Sequence, residues 1–304
     1  MNCLAFDVGG TYVKYGLVNQ DLSILENHKF NTPKNESDFI NEFSKIIVQN
    51  ENKFETVSIA MPGFINKLEK KFLFGTNIQF SIDFKKLMNF NSYNLYLDND
   101  GNVSAFSEYF QYYRDQFSNL IMLTFGTGIG GGIIANKKLL QGSGSAGEIG
   151  HILTSIDNSI LCNCGKNGCF EASTAATVWT NKCQELSDLE PNSELAQRFK
   201  IENVGSILFD DSIKFTSLQL DEINIIIQNI SNGLVSLFEI FDNEIFVLGG
   251  AMSSSPYSLI KLIDKDINSR FKFPSRIFPK IEISLQKGDS GIIGAAALAF
   301  NETK

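Results

Sequence analysis

A single tryptophan and two histidines stand among 304 residues. Basic residues are also short: 26 Lys and Arg against 34 Asp and Glu give a net charge of −8, with a pI of about 4.9. No Lys/Arg block interrupts this acidic balance, which excludes the basic footprint of sequence-independent nucleic-acid binding. An anionic ligand then needs local help from helix N-termini, backbone amides or a metal ion. No segment approaches the roughly 18 apolar residues of a membrane span. Met1-Asn2-Cys3-Leu4-Ala5-Phe6-Asp7 has neither a basic n-region nor an apolar stretch of signal-peptide length. We expect a cytoplasmic protein with no nucleic-acid and no membrane partner. Tandem repeats and low-complexity linkers are absent as well. Cysteine is scarce, at five residues, yet Cys162, Cys164 and Cys169 fall within eight positions, while Cys3 and Cys183 stand apart. In a reducing compartment that clustering points to metal before disulfide.

What is present is an ordinary globular composition: 43% hydrophobic, 20% charged and 12% aromatic, with 26 phenylalanines that read as core filling. The length fits one large domain or two ordinary ones, with a core that needs no staples. Two apolar runs, Cys3–Val8 and Tyr12–Val18, joined through Gly9-Gly10, predict a tight β-hairpin. Ile24–Phe30 predicts a third strand and Ser37–Gln49 a helix. Thr56–Met61 predicts a strand ended by Pro62-Gly63, Asn94–Leu97 another, and Val103–Tyr113 a helix. Leu120 restarts the pattern: a strand to Phe125, a glycine-rich turn over 126–132, and a return strand over Ile133–Ala135. Ile223, Ile226, Ile227, Ile230, Leu234, Leu237, Phe238 and Phe241 keep a three-four spacing that predicts a helix over Glu222–Phe241. Glu244–Leu248 reads as a buried strand ended by Gly249-Gly250, and Gly291–Phe300 as a small-residue helix. These rhyming halves predict two α/β domains facing each other across a cleft. Residues 1–117 form one, joined by the last helix, 290–304; residues 118–289 form the other.

Asp7-x-Gly9-Gly10-Thr11-x-x-Lys14 places two positions without Cβ in a hairpin turn, where backbone amides approach phosphate oxygens. Asp7 would hold a hydrated magnesium ion and Thr11 a phosphate. A plain Gly-Gly hairpin with a capping aspartate has the same sequence, and both readings stay open. Gly126-Thr127-Gly128-Ile129-Gly130-Gly131-Gly132 is a stronger signal, because glycine weakens a strand by about 0.5–1 kcal/mol per site relative to alanine. It is no Walker A loop, since no Gly-Lys-Ser/Thr follows, and no dinucleotide fingerprint, since a strand follows. Gly249-Gly250-Ala251 ends a buried strand, the place where open α/β sheets bind nucleotides.

His151, Cys162, Cys164 and Cys169 offer an imidazole and three thiolates. This is a closed tetrahedral zinc set, and full coordination by protein suits a structural ion. A redox pair or unconnected buried thiols are the alternatives; spacing and compartment favour zinc. Glu148 and Glu171 flank the set. Two acidic acceptors beside an imidazole donor suit a polyol, although solvated surface glutamates would look the same. Leu97-Asp98-Asn99-Asp100-Gly101-Asn102 lies where a strand meets a helix. Asp100 could take the proton of an attacking hydroxyl there, or the Asn-Asp pair could merely cap the helix.

Together these strings resemble the ROK family (repressors, open reading frames, kinases), over nearly the whole chain. The resemblance implies an α/β, actin-like (ribonuclease H-like) two-domain fold with a ligand cleft between the domains. It implies an ATP-dependent hexose kinase, a transferase acting on a sugar hydroxyl, O6 of glucose or a related hexose, with Asp100 as general base. Asp7, Gly9, Gly10, Thr11 and Lys14 are similar to the family's first phosphate motif, and Gly126, Thr127 and Gly128 to its second. Gly249, Gly250 and Ala251 sit where the family binds adenosine. Gly63, Asn99, Asp100, Glu148, His151 and Glu171 match its sugar contacts. His151, Cys162, Cys164 and Cys169 match its zinc ligands. ATP, Mg²⁺ and a structural Zn²⁺ are the cofactors implied, a small-molecule sugar and a second copy of the chain, as a homodimer, the partners.

Two positions depart from the family pattern. Gly101 stands where alanine is usual after the catalytic aspartate, which could loosen the helix start. Lys137 stands where glycine is usual in the turn after the second phosphate strand. The family's repressors carry a DNA-binding module ahead of the first motif, and only six residues precede Asp7 here, so we expect no such module. N-acetylmannosamine, N-acetylglucosamine and fructose stand as alternative substrates, the complete Glu148/His151/Glu171 set leaning to glucose. A sugar-sensing regulator without catalysis and an actin-like ATPase are the readings from other classes.

Overall fold

A computed structural model of the chain describes residues 1–75, 77–88, 93–154, 160–254, 258–286 and 288–302. The chain forms two compact units, one of Met1–Phe117, Gly132–Gly147 and Leu285–Lys304, the other of Ser118–Gly131 and Glu148–Ser284.

In the first unit, β1 (Asn2–Val8), β2 (Tyr12–Asn19) and β3 (Ile24–Asn31) lead into α1 (Glu36–Gln49), then β4 (Thr56–Met61). A small antiparallel sheet follows, of β5 (Phe64–Asn66), β6 (Lys71–Phe74) and β7 (Ile82–Asp83), then α2 (Lys85–Met88), β8 (Asn94–Asn99) and α3 (Asp100–Glu108). The main sheet has the order β3-β2-β1-β4-β8, antiparallel from β1 to β3 and parallel from β1 to β8. Strand β4 is buried at every position, as expected of a parallel strand covered on both faces, and its two hydroxyl side chains, Thr56 and Ser58, are buried with the rest. Leu4, Phe6 and Val8 share a core with Phe39, Phe43, Ile46 and Ile47, the apolar stripe of α1. Phe6, Phe43 and Phe39 stack in succession, with centroids 4.3 and 4.5 Å apart.

The second unit opens with β9 (Leu120–Phe125) and β10 (Ile129–Ala135), the chain passing into the first unit within β10 and reaching β11 (Lys138–Leu139) there. After its return come α4 (Phe170–Thr174), α5 (Ala176–Leu189), α6 (Glu194–Glu202), α7 (Ser217–Phe241), β12 (Ile245–Gly250), α8 (Ser258–Arg270) and β13 (Lys280–Ile283). The sheet order is β11-β10-β9-β12-β13, with β12 parallel to both β9 and β13. Helix α7 starts on a capping box of Thr216 and Gln219, which satisfies two otherwise orphan backbone donors. By length and composition α7 is long and apolar enough to cross a membrane. Asp221, Asn224, Gln228 and Asn232 interrupt its apolar residues, so the sequence has no continuous apolar segment of that length here. Half of its most apolar window is buried, and Gly233 admits the Phe170 ring of α4, as in a core helix.

Residues 132–147 and 285–289, which the sequence reading put in the second domain, group with the first unit. Their contacts give the reason. Gly132 lies against Ala105 and Asn102, Gln141 donates to Asp98 at 3.1 Å, and Leu285 donates to the buried Glu108 at 2.9 Å. The last helix, α9 (Ser290–Glu302), belongs here too. Its Ala295–Ala299 run is buried, and Gly294 faces α3 so closely that a Cβ would lie 2.5 Å from Val103 O. An open helix position would gain about 1 kcal/mol from Gly→Ala. Here the methyl has no room, and Gly294→Ala is expected to lower stability by about 1–3 kcal/mol, read as a lower urea midpoint. A raised midpoint would show that α9 does not seat on α3.

Candidate functional site

The first glycine hairpin is fastened on both sides. Gly9 N donates to Tyr12 O at 2.9 Å, and Thr32 donates its hydroxyl to Gly9 O at 2.6 Å and its amide to Thr11 O at 3.0 Å. Gly10 lies under Asn77, 3.0 Å from where a Cβ would be. Asp7 pairs in register with Lys14 across β1 and β2. Burial pushes the Asp7 carboxyl above its ordinary range, Lys14 pulls it back in part, and Asp289 adds to the rise. Lys14 donates to Gly288 O and lies 3.6 Å from Asp289. Gly291 of α9 leaves the Asp7 carboxylate its place; a Cβ there would be 2.8 Å from Oδ1.

At the head of α3, Asn99 is the N-cap, its Oδ1 accepting from Gly101 N at 2.8 Å and Asn102 N at 3.3 Å. The capping reading of this residue therefore holds. Its Nδ2 also donates to Gly63 O at 3.0 Å, which ties the cap to the Pro62-Gly63 turn. Gly63 has φ +141, and a Cβ would lie 2.7 Å from Gly75 Cα, so only glycine fits. Asp100, the first helical residue, is exposed.

Beneath it lies a carboxylate to which the sequence reading gave no role. Asp98, 6% exposed, accepts from Asn99 N at 2.8 Å and Asn102 Nδ2 at 3.0 Å on one oxygen. Its other oxygen accepts from Gln141 Nε2 at 3.1 Å and pairs with Lys67. Only its place beside Asn99-Asp100 could have flagged it; its partners are 31 and 43 residues away.

In the second unit, the 126–128 loop has its carbonyls held by the start of α5. Ala176 N donates to Gly126 O at 3.1 Å, and Thr177 Oγ1 to Thr127 O at 3.0 Å. Ile129 N donates to Glu171 Oε2 at 2.8 Å. On the neighbouring parallel strand Gly250 lies opposite Phe125 with φ +69, and a Cβ would be 3.0 Å from Phe125 N. Gly249 lies opposite Thr124, and Ala251 begins a turn of 3-10 helix. Both glycine segments thus sit at the carboxyl ends of adjacent parallel strands, the usual nucleotide position in an open α/β sheet.

The Cys/His set comes together. The ligand atoms of His151, Cys162, Cys164 and Cys169 all lie within 4.8 Å of one another. Cys164 and Cys169 Sγ are 3.6 Å apart, and Cys162 Sγ is 3.8 Å from His151 Nδ1. Zinc–sulfur bonds of about 2.3 Å in a tetrahedron put ligand atoms roughly 3.8 Å apart, so the four side chains fit this ion. The turn that aligns them runs through Cys162 N to Lys166 O at 2.8 Å and Gly165 N to Cys162 O at 2.9 Å. Gly165 (φ +87) and Gly168 (φ +79) supply its reversals. The other histidine, His28, lies on β3 of the first unit, stacked on Tyr15.

A sequence model described as ROK family matches residues 3–302. The chain belongs to the ROK family. Among relatives, an N-acetylmannosamine kinase of Haemophilus influenzae (strain PittEE) is 28% identical over 97% of this chain and 94% of its own length. A glucokinase of Halalkalibacterium halodurans is 28% identical over 96% and 93%. The solved ROK family glucokinase from Streptomyces griseus, in complex with glucose and AMPPNP, has a TM-score of 0.77 at 23% identity, covering 99% of this chain and 100% of that one. The fold is thus the α/β, actin-like one expected.

Within this ROK chain, Glu171 follows Cys169, the N-cap of α4, by two residues, and its Oε1 lies 3.4 Å from Cys162 Sγ. Glu148 precedes the 149–151 turn that carries His151. Burial raises the Glu148 carboxyl's pKa, with His151 opposing and Glu171 adding. Both glutamates are half-buried, and Glu171 is anchored to the Ile129 amide.

The buried Asp7 gives a test that needs no ligand. A carboxyl whose pKa is raised on folding adds stability below the ordinary carboxylate pKa and loses it as pH rises through the folded value. Asp7→Asn is therefore expected to melt above the wild type at pH 8, the gap closing towards pH 4. A variant that melts lower at pH 8 would show that Lys14 outweighs burial.

Proposed function

We propose that this ROK protein is an ATP-dependent hexose kinase, transferring the γ-phosphoryl group of ATP to a sugar hydroxyl, O6 of glucose or of a related hexose. One observation carries the reading: an exposed Asp100 at the head of α3, on a frame of capped and buried polar groups. A carboxylate so placed suits a general base, because phosphoryl transfer asks chiefly for positioning and charge neutralisation. Asp100 takes the hydroxyl proton as that oxygen attacks the γ-phosphorus. Asn99 and Gly63 orient the sugar from the same unit; Glu148, His151 and Glu171 accept and donate hydrogen bonds to its remaining hydroxyls.

Gly9, Gly10, Thr11 and Lys14, with Gly126, Thr127 and Gly128, cradle the phosphates through close approach of their two turns and the Lys14 charge. Gly249, Gly250 and Ala251 lie against the adenosine. Asp7 would hold a hydrated magnesium ion, which supplies charge neutralisation at the phosphates when bound. His151, Cys162, Cys164 and Cys169 would hold zinc, which supplies a rigid cross-link rather than a reactive centre.

Relatives named for glucose and for N-acetylmannosamine match at the same identity. The substrate is therefore stated as a class, with glucose the first choice on the complete Glu148/His151/Glu171 set. ADP release over glucose, N-acetylmannosamine, N-acetylglucosamine and fructose tests this. At least one sugar should stimulate release, and Asp100→Asn should lower turnover by at least about a hundredfold. Release indifferent to every sugar would mark an ATPase, and none at all a sugar-sensing regulator. Near-normal turnover in a folded Asp100→Asn chain would remove Asp100 from the mechanism.

A further inference from the structure

Five glycines crowd residues 126–132, and close approach of backbone to phosphate is the ordinary reason for such a loop. The surroundings of Gly128 point elsewhere. A Cβ on Gly126 would meet only Gly128 O, at 3.9 Å. Gly128 itself does not have a positive φ, so its torsions do not call for glycine. Yet the three heavy atoms nearest to a Cβ added there all belong to the Glu171 carboxyl group, with Cδ at 2.9 Å and Oε2 closer. That same Oε2 accepts from Ile129 N at 2.8 Å. Among neighbouring atoms, the Glu171 carboxylate is what keeps residue 128 without a side chain.

We propose that Gly128 is a positioning residue for the sugar: by having no side chain it leaves the seat in which the Glu171 carboxylate rests. The inference rests on the kinase reading, in which Glu171 contacts the sugar. A methyl at 128 has a cheap way out, because Glu171 is the far end of a flexible side chain and swings aside while the loop backbone stays. The damage then falls on the sugar. Were Gly128 needed for phosphate approach instead, the damage would fall on the nucleotide.

Calorimetric titration separates the two, with AMPPNP as nucleotide probe and glucose and N-acetylmannosamine as sugar probes. The proteins are the wild type, Gly128→Ala, Glu171→Ala and the double variant, each with its melting temperature checked. Gly128→Ala is expected to weaken sugar binding at least tenfold, which is about 1.4 kcal/mol, and by a larger factor than it weakens AMPPNP, which this loop meets through its backbone. In the Glu171→Ala background, Gly128→Ala should add no further loss, the non-additivity of two residues acting through one contact. If the wild type binds both probes while Gly128→Ala loses AMPPNP and keeps the sugar, or if the two losses add, this inference alone is overturned. A wild type that binds no sugar overturns the kinase reading and this inference with it.

Discussion

The hydrogen bond from Ile129 N to the Glu171 carboxylate, at 2.8 Å, is the contact on which the second unit's site depends. It joins two pieces with different origins. One is a glycine loop at the end of a parallel strand, the other a metal-type knob of one histidine and three cysteines. Cys169 is the residue before the first turn of α4, so whatever fixes Cys169 also fixes Glu171, the second residue of that helix. The loop is held from the other side by Ala176 and Thr177 of α5. Knob, loop and helix start are therefore joined by hydrogen bonds, and Glu171 is held in place by the Ile129 amide. Such preorganisation is what a site needs when positioning is the main contribution to the reaction.

The first unit solves the same problem with a network of polar side chains. Buried Asp98 fixes Asn99 and Asn102, and Asn99 in turn holds Gly63. Lys67 and Gln141 bring the opposite charge and a second donor from distant segments. A buried carboxylate is unfavourable unless paired and hydrogen-bonded, and Asp98 has both forms of support. In each unit, then, an acidic side chain accepts a backbone amide next to a residue proposed to touch substrate. The difference is that one frame is a network of acidic, amide and lysine side chains and the other is built on a Cys/His set whose ligand atoms have the spacing of a zinc site.

Strands with strong patterns were legible in the chain. Thr56–Met61 and Leu120–Phe125 match the structure residue for residue, and the ends of β1 and α7 differ only by short extensions. The Cys/His cluster was legible because its members lie close in sequence. Strands β5, β6 and β7 were missed because they are two to four residues long, too short to show a period. Helices α5 and α6 were missed because polar residues cover much of their surface, as in the Thr180-Asn181-Lys182 and Gln197-Arg198 stretches. The role of Asp98 was hidden for another reason. Its partners Lys67 and Gln141 are brought to it by the fold, and nothing in the local spacing announces them. The same holds for Glu171 and Gly128, which the sequence placed in two separate motifs and the structure places in contact.

If the Cys/His knob is what holds Glu171 in its seat, metal and sugar affinity must be linked. Elemental analysis before and after chelation, paired with sugar titration and far-ultraviolet circular dichroism, measures that link directly. The expected result is about one zinc per chain and at least a tenfold loss of sugar affinity on its removal, with most secondary structure retained. A zinc-free chain that binds its sugar at full strength would contradict it.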